Sequence, residues 1–203
     1  MDDAVLLPPN AHCVLVLAHG AGAGLHHAHM ASLAEAFAAV GVATYRFNFP
    51  YMQAGRRRVD AQAVAVETVA LAVERVLADT DLPVFAGGHS FGGRMTSHAA
   101  AEGRISPQGL VYCSFPLHPA KKPDVKRAAH LQAVTQPQLF LSGTRDDLAE
   151  RGLLEGVVSG LPHAPLCWLE HADHSFKVRK RDQLPGAPGA YQQAADAVLA
   201  FSR

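Results

Sequence analysis

The chain has 203 residues, of which 49% are hydrophobic and 18% are charged, a composition that suits one globular domain over residues 1–203 with a substantial core. Lysine plus arginine and aspartate plus glutamate number 18 each, so the charge balance recommends neither nucleic acid nor an anionic membrane as the main partner. The start of the chain, Met1 to Ala4, lacks a basic region followed by an apolar core, and the sequence has no apolar stretch long enough to cross a bilayer, so we expect a cytoplasmic protein of undetermined oligomeric state.

Short β-rich runs alternate with longer helical patterns along the chain. The strand candidates are residues 12–18, 43–49, 84–87, 109–114, 138–142 and 166–170. Helical spacing predicts helices over residues 25–40, 59–78, 91–101, around 125–133, 147–159 and 190–201. Strands separated by helices pair mostly in parallel. The sequence therefore predicts an α/β fold, with a doubly wound, mostly parallel sheet of about six or seven strands flanked by helices.

The three cysteines, Cys13, Cys113 and Cys167, each lie within an apolar strand-like run. An odd number of cysteines cannot all pair, and a reduced thiol in such a run behaves as a small hydrophobic side chain. We therefore expect free, buried thiols without a catalytic role.

The sequence Gly-His-Ser-Phe-Gly at residues 88–92 follows an apolar run and precedes a helical pattern. A Gly-x-Ser-x-Gly nucleophile elbow requires this strand, turn and helix setting, in which the serine hydroxyl points out over the sheet edge. The flanking glycines leave room for strand and helix to approach. Ser90 is therefore the candidate nucleophile.

A serine nucleophile needs a histidine to take its proton and a carboxylate to hold that histidine in the useful tautomer. Asp146 follows the strand candidate 138–142 and so lies at the sheet edge that carries Ser90. Asp146 is the candidate acid, although a simple helix cap would also explain an aspartate there. The adjacent Asp147 is an alternative.

Three histidines follow that acid: His163, His171 and His174. His163 precedes the last strand candidate and therefore lies at the opposite edge of the sheet. His171 closes the strand, whereas His174 stands in the loop beyond it, from which an imidazole can reach the serine. We select His174 as the catalytic base and keep His171 as the alternative.

The small residues after the first strand candidate, Gly20 to Gly24, form a turn that lets the backbone approach a substrate. We predict that the backbone N–H groups of Ala21 and Phe91 form an oxyanion hole. The turn lacks the G-x-G-x-x-G spacing of a dinucleotide site, and the next strand does not end in a suitable acidic residue.

Four segments in this order, His19-Gly20, residues 88–93, residues 143–146 and residues 173–176, resemble the α/β-hydrolase superfamily over nearly the whole chain. The chain looks most like the small, lidless hydrolases related to dienelactone hydrolase. Dienelactone hydrolases of that branch use a cysteine at the elbow, so their lactone substrate cannot be carried over to a chain with Ser90. The resemblance implies acyl transfer to water.

The interval between residues 114 and 138 has room for a loop and one helix, so we expect no substantial lid domain and an open site. An open cleft favours small soluble esters or thioesters over long lipid chains. Arg56 and Arg57 are candidate contacts to a substrate anion, although a solvated loop is the plainer interpretation.

The residues suggest neither a cofactor nor a metal. His26, His27 and His29 have no matched carboxylate or cysteine set nearby in the sequence. Two hypotheses therefore remain: a serine hydrolase that forms an acyl-enzyme, and a non-catalytic protein that keeps the hydrolase fold for binding or as a scaffold.

Overall fold

The structure, a computed structural model, describes residues 2–203. The strands within these residues form one sheet of seven strands. The strands are β1 (Asp3–Leu6), β2 (Cys13–Ala18), β3 (Val42–Phe47), β4 (Val84–His89), β5 (Leu110–Cys113), β6 (Gln138–Gly143) and β7 (Leu166–Leu169). Their spatial order is β1-β3-β2-β4-β5-β6-β7. β1 pairs with β3 antiparallel, and every other pair is parallel. The predicted α/β class and mostly parallel sheet are confirmed.

Within residues 2–203, six α-helices flank the sheet: α1 (Ala28–Ala39), α2 (Pro50–Gln53), α3 (Gln62–Asp79), α4 (Phe91–Ala101), α5 (Arg151–Ser159) and α6 (Ala190–Phe201). The segments Lys126–Ala133 and Lys180–Asp182 are 3-10 helices. Residues 2–203 contain no helix that is both long and apolar enough to span a bilayer.

The core lies in two layers, one on each face of the sheet. Because side chains alternate along a strand, Val14 and Val16 of β2 join the layer beneath α3 and α4, while Leu15 and Leu17 join the layer beneath α1 and α6. All four side chains are buried. This two-sided burial explains the nearly continuous apolar runs of the central strands.

Some predicted boundaries are wrong. Helix α1 begins at Ala28 instead of residue 25, because the side chain of His27 caps it by accepting a hydrogen bond from the His29 N–H. Helix α5 begins at Arg151 instead of residue 147, because Glu150 caps it in the same way. The helix expected around residues 125–133 is a 3-10 helix.

The parallel strands bring their carboxyl ends to one edge of the sheet. β2, β4 and β6 end at Ala18, His89 and Gly143, and the chain then enters the three turns that carry the predicted oxyanion loop, nucleophile and acid. Between β5 and β6, the chain forms only a loop and the 3-10 helix, which agrees with a fold without a lid.

Candidate active site

Ser90 stands in a sharp turn between β4 and α4. Its backbone has φ 51° and ψ −115°, a left-handed conformation that costs a non-glycine residue on the order of 1–3 kcal/mol. The Ser90 N–H donates to the carbonyl of Cys113 at 3.0 Å. Helix α4 passes so close to β2 that a Cβ on Gly92 would overlap the carbonyl group of Ala18, the last residue of β2. The turn therefore has the geometry of a nucleophile elbow.

The structure brings Ser90, His174 and Asp146 into one line of hydrogen bonds. His174 Nδ1 lies 2.9 Å from Asp146 Oδ1 and 2.8 Å from Oδ2, and His174 Nε2 lies 2.8 Å from Ser90 Oγ. An ionised carboxylate can only accept hydrogen bonds, so Nδ1 carries the proton and Nε2 accepts from the serine hydroxyl. This is the tautomer in which the imidazole can take up the proton of Ser90.

The Asp146 side chain is fully buried, while that of His174 remains 24% exposed. Besides binding His174, Asp146 Oδ1 accepts the backbone N–H of Leu148 at 2.8 Å. The alternative acid, Asp147, is exposed. The alternative base, His171, is also exposed, and its backbone binds Thr144 and Arg145. The geometry thus favours Asp146 and His174 over these alternatives.

Hydrogen bonds from two side chains to its carbonyl groups hold the loop that is predicted to supply the oxyanion donor. His19 is completely buried; its Nε2 accepts the N–H of Phe49 at 3.1 Å, so its Nδ1 is the donor to the carbonyl of Gly20 at 2.7 Å. The hydroxyl of Tyr51 donates to the carbonyl of Ala21 at 2.9 Å. In a trans peptide the C=O and the next N–H point in opposite directions. Fixing the Gly20 carbonyl therefore also fixes the direction of the Ala21 N–H.

Phe91 is the first residue of α4, so its N–H is one of the four that have no acceptor within the helix. The N-terminal end of a helix carries a partial positive charge that favours an anion. That the Phe91 N–H is the second donor of an oxyanion hole stays a prediction.

A cavity of about 310 Å³ opens beside Ser90. It is lined by residues 20–23 of the loop predicted to supply an oxyanion donor and by His27, His29, Met30, His89, Ser90, His174 and Ser175. The wall therefore contains both small residues and imidazoles. Of these residues, Met30 is fully buried and closes the cavity with an apolar side chain.

The buried imidazoles of this wall are neutral. Burial, reinforced by neighbouring histidines, lowers the pKa of His29 from 6.5 to about 3. Burial likewise lowers the pKa of His89 to about 4, with His174 adding to the effect. The wall therefore offers uncharged hydrogen-bonding groups near neutral pH.

The two candidate anion contacts do not line this cavity. Arg56 forms an ion pair with Asp60 at 2.7 Å, and both Arg56 and Arg57 are exposed on the loop after α2. Contact between either arginine and a substrate anion stays a prediction. It concerns a substrate that extends beyond the cavity.

Cys13 and Cys113 are free and buried, and Cys167 is free and partly buried. Burial raises the pKa of Cys113 to about 12, which keeps this thiol protonated and unreactive. Within residues 2–203, no group of three or more His, Cys, Asp and Glu side chains is arranged to hold a metal ion.

The sequence patterns point to no role for Tyr51 or His89 in the candidate site. Tyr51 lies in the short helix α2, which the sequence did not predict, and His89 occupies the variable position of the elbow motif. Each makes a hydrogen bond to a residue distant in the chain, Tyr51 to Ala21 and His89 to His174. A single sequence carries little signal for such contacts.

Residues 11–203 match the model of a family described as an alpha/beta hydrolase domain. Among similar solved structures, a dienelactone hydrolase from Anabaena variabilis has a TM-score of 0.75 and 22% identity, covering 98% of this chain and 89% of that chain. A lidless α/β serine hydrolase from Xanthomonas campestris has a TM-score of 0.68 and 22% identity, covering 86% and 80%. An alpha-beta serine hydrolase homologue from Coxiella burnetii has a TM-score of 0.72 and 19% identity, covering 86% and 83%.

Proposed function

This chain belongs to the alpha/beta hydrolase family, as its motifs predicted, and we propose that it is a serine hydrolase that cleaves a small carboxylic ester or thioester. The observation that carries the proposal is the continuous line of hydrogen bonds from Ser90 through His174 to Asp146, with 2.8 Å between the serine oxygen and Nε2. Ser90 and His174 are both partly buried, and they meet the buried carboxylate of Asp146 in the order that activation of a serine nucleophile requires.

In the proposed reaction, Ser90 Oγ attacks the carbonyl carbon while its proton passes to His174 Nε2. Asp146 stabilises the imidazolium that forms. The N–H groups of Ala21 and Phe91 bind the oxygen that becomes negative. When the tetrahedral intermediate collapses, the leaving alkoxide or thiolate takes the proton from Nε2, and the acyl group remains on Ser90.

Hydrolysis of the acyl-enzyme repeats these steps with water. His174 takes a proton from water, the hydroxide oxygen attacks the acyl carbon, and the proton then returns to Ser90 Oγ as the carboxylic acid leaves. The side chain of His174 is 24% exposed, so water can reach it without a conformational change. The chemistry uses no cofactor.

The size of the cavity supports a small substrate. A volume of about 310 Å³ corresponds to roughly ten water molecules at about 30 Å³ each, which suits a short acyl or alcohol group better than a long lipid chain. A larger substrate with an anionic group outside the cavity could still use Arg56 or Arg57. Because three free cysteines suit a reducing compartment, we propose that residues 1–203 act as one cytoplasmic domain.

The test is labelling of the folded protein with an alkyl fluorophosphonate, followed by mass mapping of the labelled residue. We expect rapid labelling of Ser90, which is lost in Ser90→Ala and greatly slowed in His174→Ala. Ester turnover in Ser90→Ala should fall by at least about 10⁴-fold. Ser159→Ala, which changes an exposed serine at the end of α5, is the matched control and should behave as wild type.

Ester turnover that survives unchanged in Ser90→Ala would contradict the proposal. If the folded wild-type protein neither labels nor turns over any activated ester, the alternative is favoured, namely a hydrolase fold kept for binding or as a scaffold.

A further inference from the structure

His89, directly before the proposed nucleophile Ser90, also contacts the loop that carries His174. His89 Nε2 lies 2.8 Å from the backbone carbonyl oxygen of His174, although the two residues are 85 positions apart. A carbonyl oxygen can only accept, so His89 donates this hydrogen bond from Nε2–H. Among residues 2–203, no other donor reaches that carbonyl oxygen. His89 and Ser90, which share a peptide bond, therefore hold His174 at two points, one on its backbone and one on its imidazole.

Other hydrogen bonds hold the rest of the loop that carries His174. Asp173 accepts from the N–H groups of Ser175 and Lys177, which folds the loop on itself. The N–H of Arg145 binds the carbonyl of Ala172, which ties the start of the loop to the turn after β6. These bonds give the loop its shape. The bond from His89 is the one that joins the backbone of His174 to the nucleophile elbow.

The surroundings fix the orientation of the His89 ring. The ring of His29 packs edge-on against it, with 4.4 Å between centroids and 73° between planes. His29 Nδ1 is in turn 2.7 Å from the hydroxyl of Tyr191 in α6. On the other side, a Cβ on Gly20 would stand 2.8 Å from His89 Nδ1. Only glycine leaves room there for this ring.

We propose that His89 is a positioning residue for the reaction: its Nε2–H group holds the backbone of His174, and thereby sets the distance between the imidazole and Ser90. This inference rests on the proposed function. The residue acts through His174 and does not itself take part in the chemistry. A displacement of about 1 Å between reacting groups can cost about 100-fold in rate, so one well-placed hydrogen bond has a large effect on turnover.

A neutral donor is required at this position. During the reaction His174 becomes a cation, and a second positive charge on the neighbouring ring would oppose it. The centroids of the two rings are 5.1 Å apart. Burial lowers the pKa of His89 to about 4, so its ring stays uncharged while it donates. A lysine or arginine could make the same hydrogen bond, but it would disfavour the imidazolium.

The test compares two variants with side chains of similar length. His89→Gln keeps an N–H donor, whereas His89→Met has none. The readout is the saturating rate constant for reaction of Ser90 with an alkyl fluorophosphonate, measured separately from the concentration that gives half saturation. We expect His89→Met to lower the saturating rate constant by about 10- to 100-fold, and His89→Gln to stay within about threefold of wild type.

Measuring the saturating rate constant separately from the half-saturating concentration distinguishes a positioning role of His89 from other roles. His89 also lines the cavity, so a change in probe fit would alter the half-saturating concentration instead of the saturating rate. A merely structural role would lower the melting temperature of both variants without separating their rates. His26→Met changes an exposed histidine that does not line the cavity and should match wild type. Equal saturating rates in His89→Met and wild type would overturn the inference.

A measurement on the wild-type protein keeps the inference testable if His89→Met fails to fold. Nitrogen NMR of the imidazoles near neutral pH should show His89 as the neutral tautomer with its proton on Nε2. A proton on Nδ1, or a charged ring, would overturn the inference. If wild type shows the expected tautomer but never reacts with the fluorophosphonate, the proposed hydrolase function fails while the hydrogen bond stands.

Discussion

The hydroxyl of Tyr51, a fully buried residue, binds the loop that is predicted to supply an oxyanion donor. It donates to the carbonyl of Ala21 at 2.9 Å and lies 3.3 Å from the carbonyl of Gly20. Burial is the main cause that raises its pKa to about 12, so the hydroxyl keeps its proton and remains a donor. In the proposed mechanism, Tyr51 thus helps to hold a donor loop in place before any substrate arrives.

At the scale of a single residue, Tyr51→Phe removes this hydroxyl and keeps the ring. We expect kcat for an activated ester to fall by about 10-fold, less than the 100- to 1,000-fold loss typical when an oxyanion donor itself is removed, with little change in KM. Tyr45→Phe is the matched control, because Tyr45 is also buried and its hydroxyl binds Asp3, in the strand at the sheet edge. An unchanged kcat in Tyr51→Phe would show that the loop keeps its conformation without this contact.

Sequence patterns predict Ser90, Asp146 and His174 as the catalytic residues, because each follows a strand at a position where the α/β topology brings chain segments together. In the structure hydrogen bonds join the three side chains, and their catalytic roles stay a prediction. His89 and Tyr51 could not be selected in the same way. Their roles depend on the direction of a side chain and on a partner many residues away, and neither leaves a periodic pattern in the sequence.

At the scale of secondary-structure elements, the contact between α4 and β2 determines where the nucleophile stands. Gly92 lies in the first turn of α4, against the carbonyls of Ala18 and His19. An added methyl group has no space there and would push the helix away from the strand. We expect Gly92→Ala to lower the free energy of unfolding by about 1–3 kcal/mol, the usual cost of overpacking a core.

Gly156→Ala makes the same chemical change in α5, where a Cβ would meet nothing within 4 Å. Because alanine has the higher helix propensity, this variant should be more stable by about 0.5–1 kcal/mol. Urea unfolding of the two variants beside wild type measures both effects. If Gly92→Ala were as stable as wild type, the α4–β2 contact would not be as tight as the geometry indicates.

The elements that sequence patterns missed are the short and half-exposed ones. β1 has four residues whose burial alternates between exposed and intermediate, and it joins the sheet at its edge, antiparallel to β3. α2 has only four residues and begins at Pro50. Neither is long enough to show helical or strand periodicity. The long central elements were predictable because burial on both faces of the sheet imposes apolar runs on them.

At the scale of the whole molecule, the buried neutral histidines make stability depend on pH. The pKa of His29 falls from 6.5 to about 3, and that of His89 falls to about 4, mainly because of burial. In the unfolded chain both return to about 6.5. Between pH 6.5 and about 4, the unfolded state therefore binds protons that the folded state does not, and the free energy of unfolding falls as the pH falls.

Each such histidine contributes a slope of up to about 1.4 kcal/mol per pH unit within this window and almost nothing above it. His29 is 6% exposed. Replacing it by phenylalanine should therefore reduce the slope of the unfolding free energy against pH by up to about 1.4 kcal/mol per pH unit, which corresponds to one proton. His26→Phe, at an exposed position, should leave it as in wild type. Urea unfolding across the window measures the slope, and equal slopes in His29→Phe and wild type would mean that His29 is not held neutral by the fold.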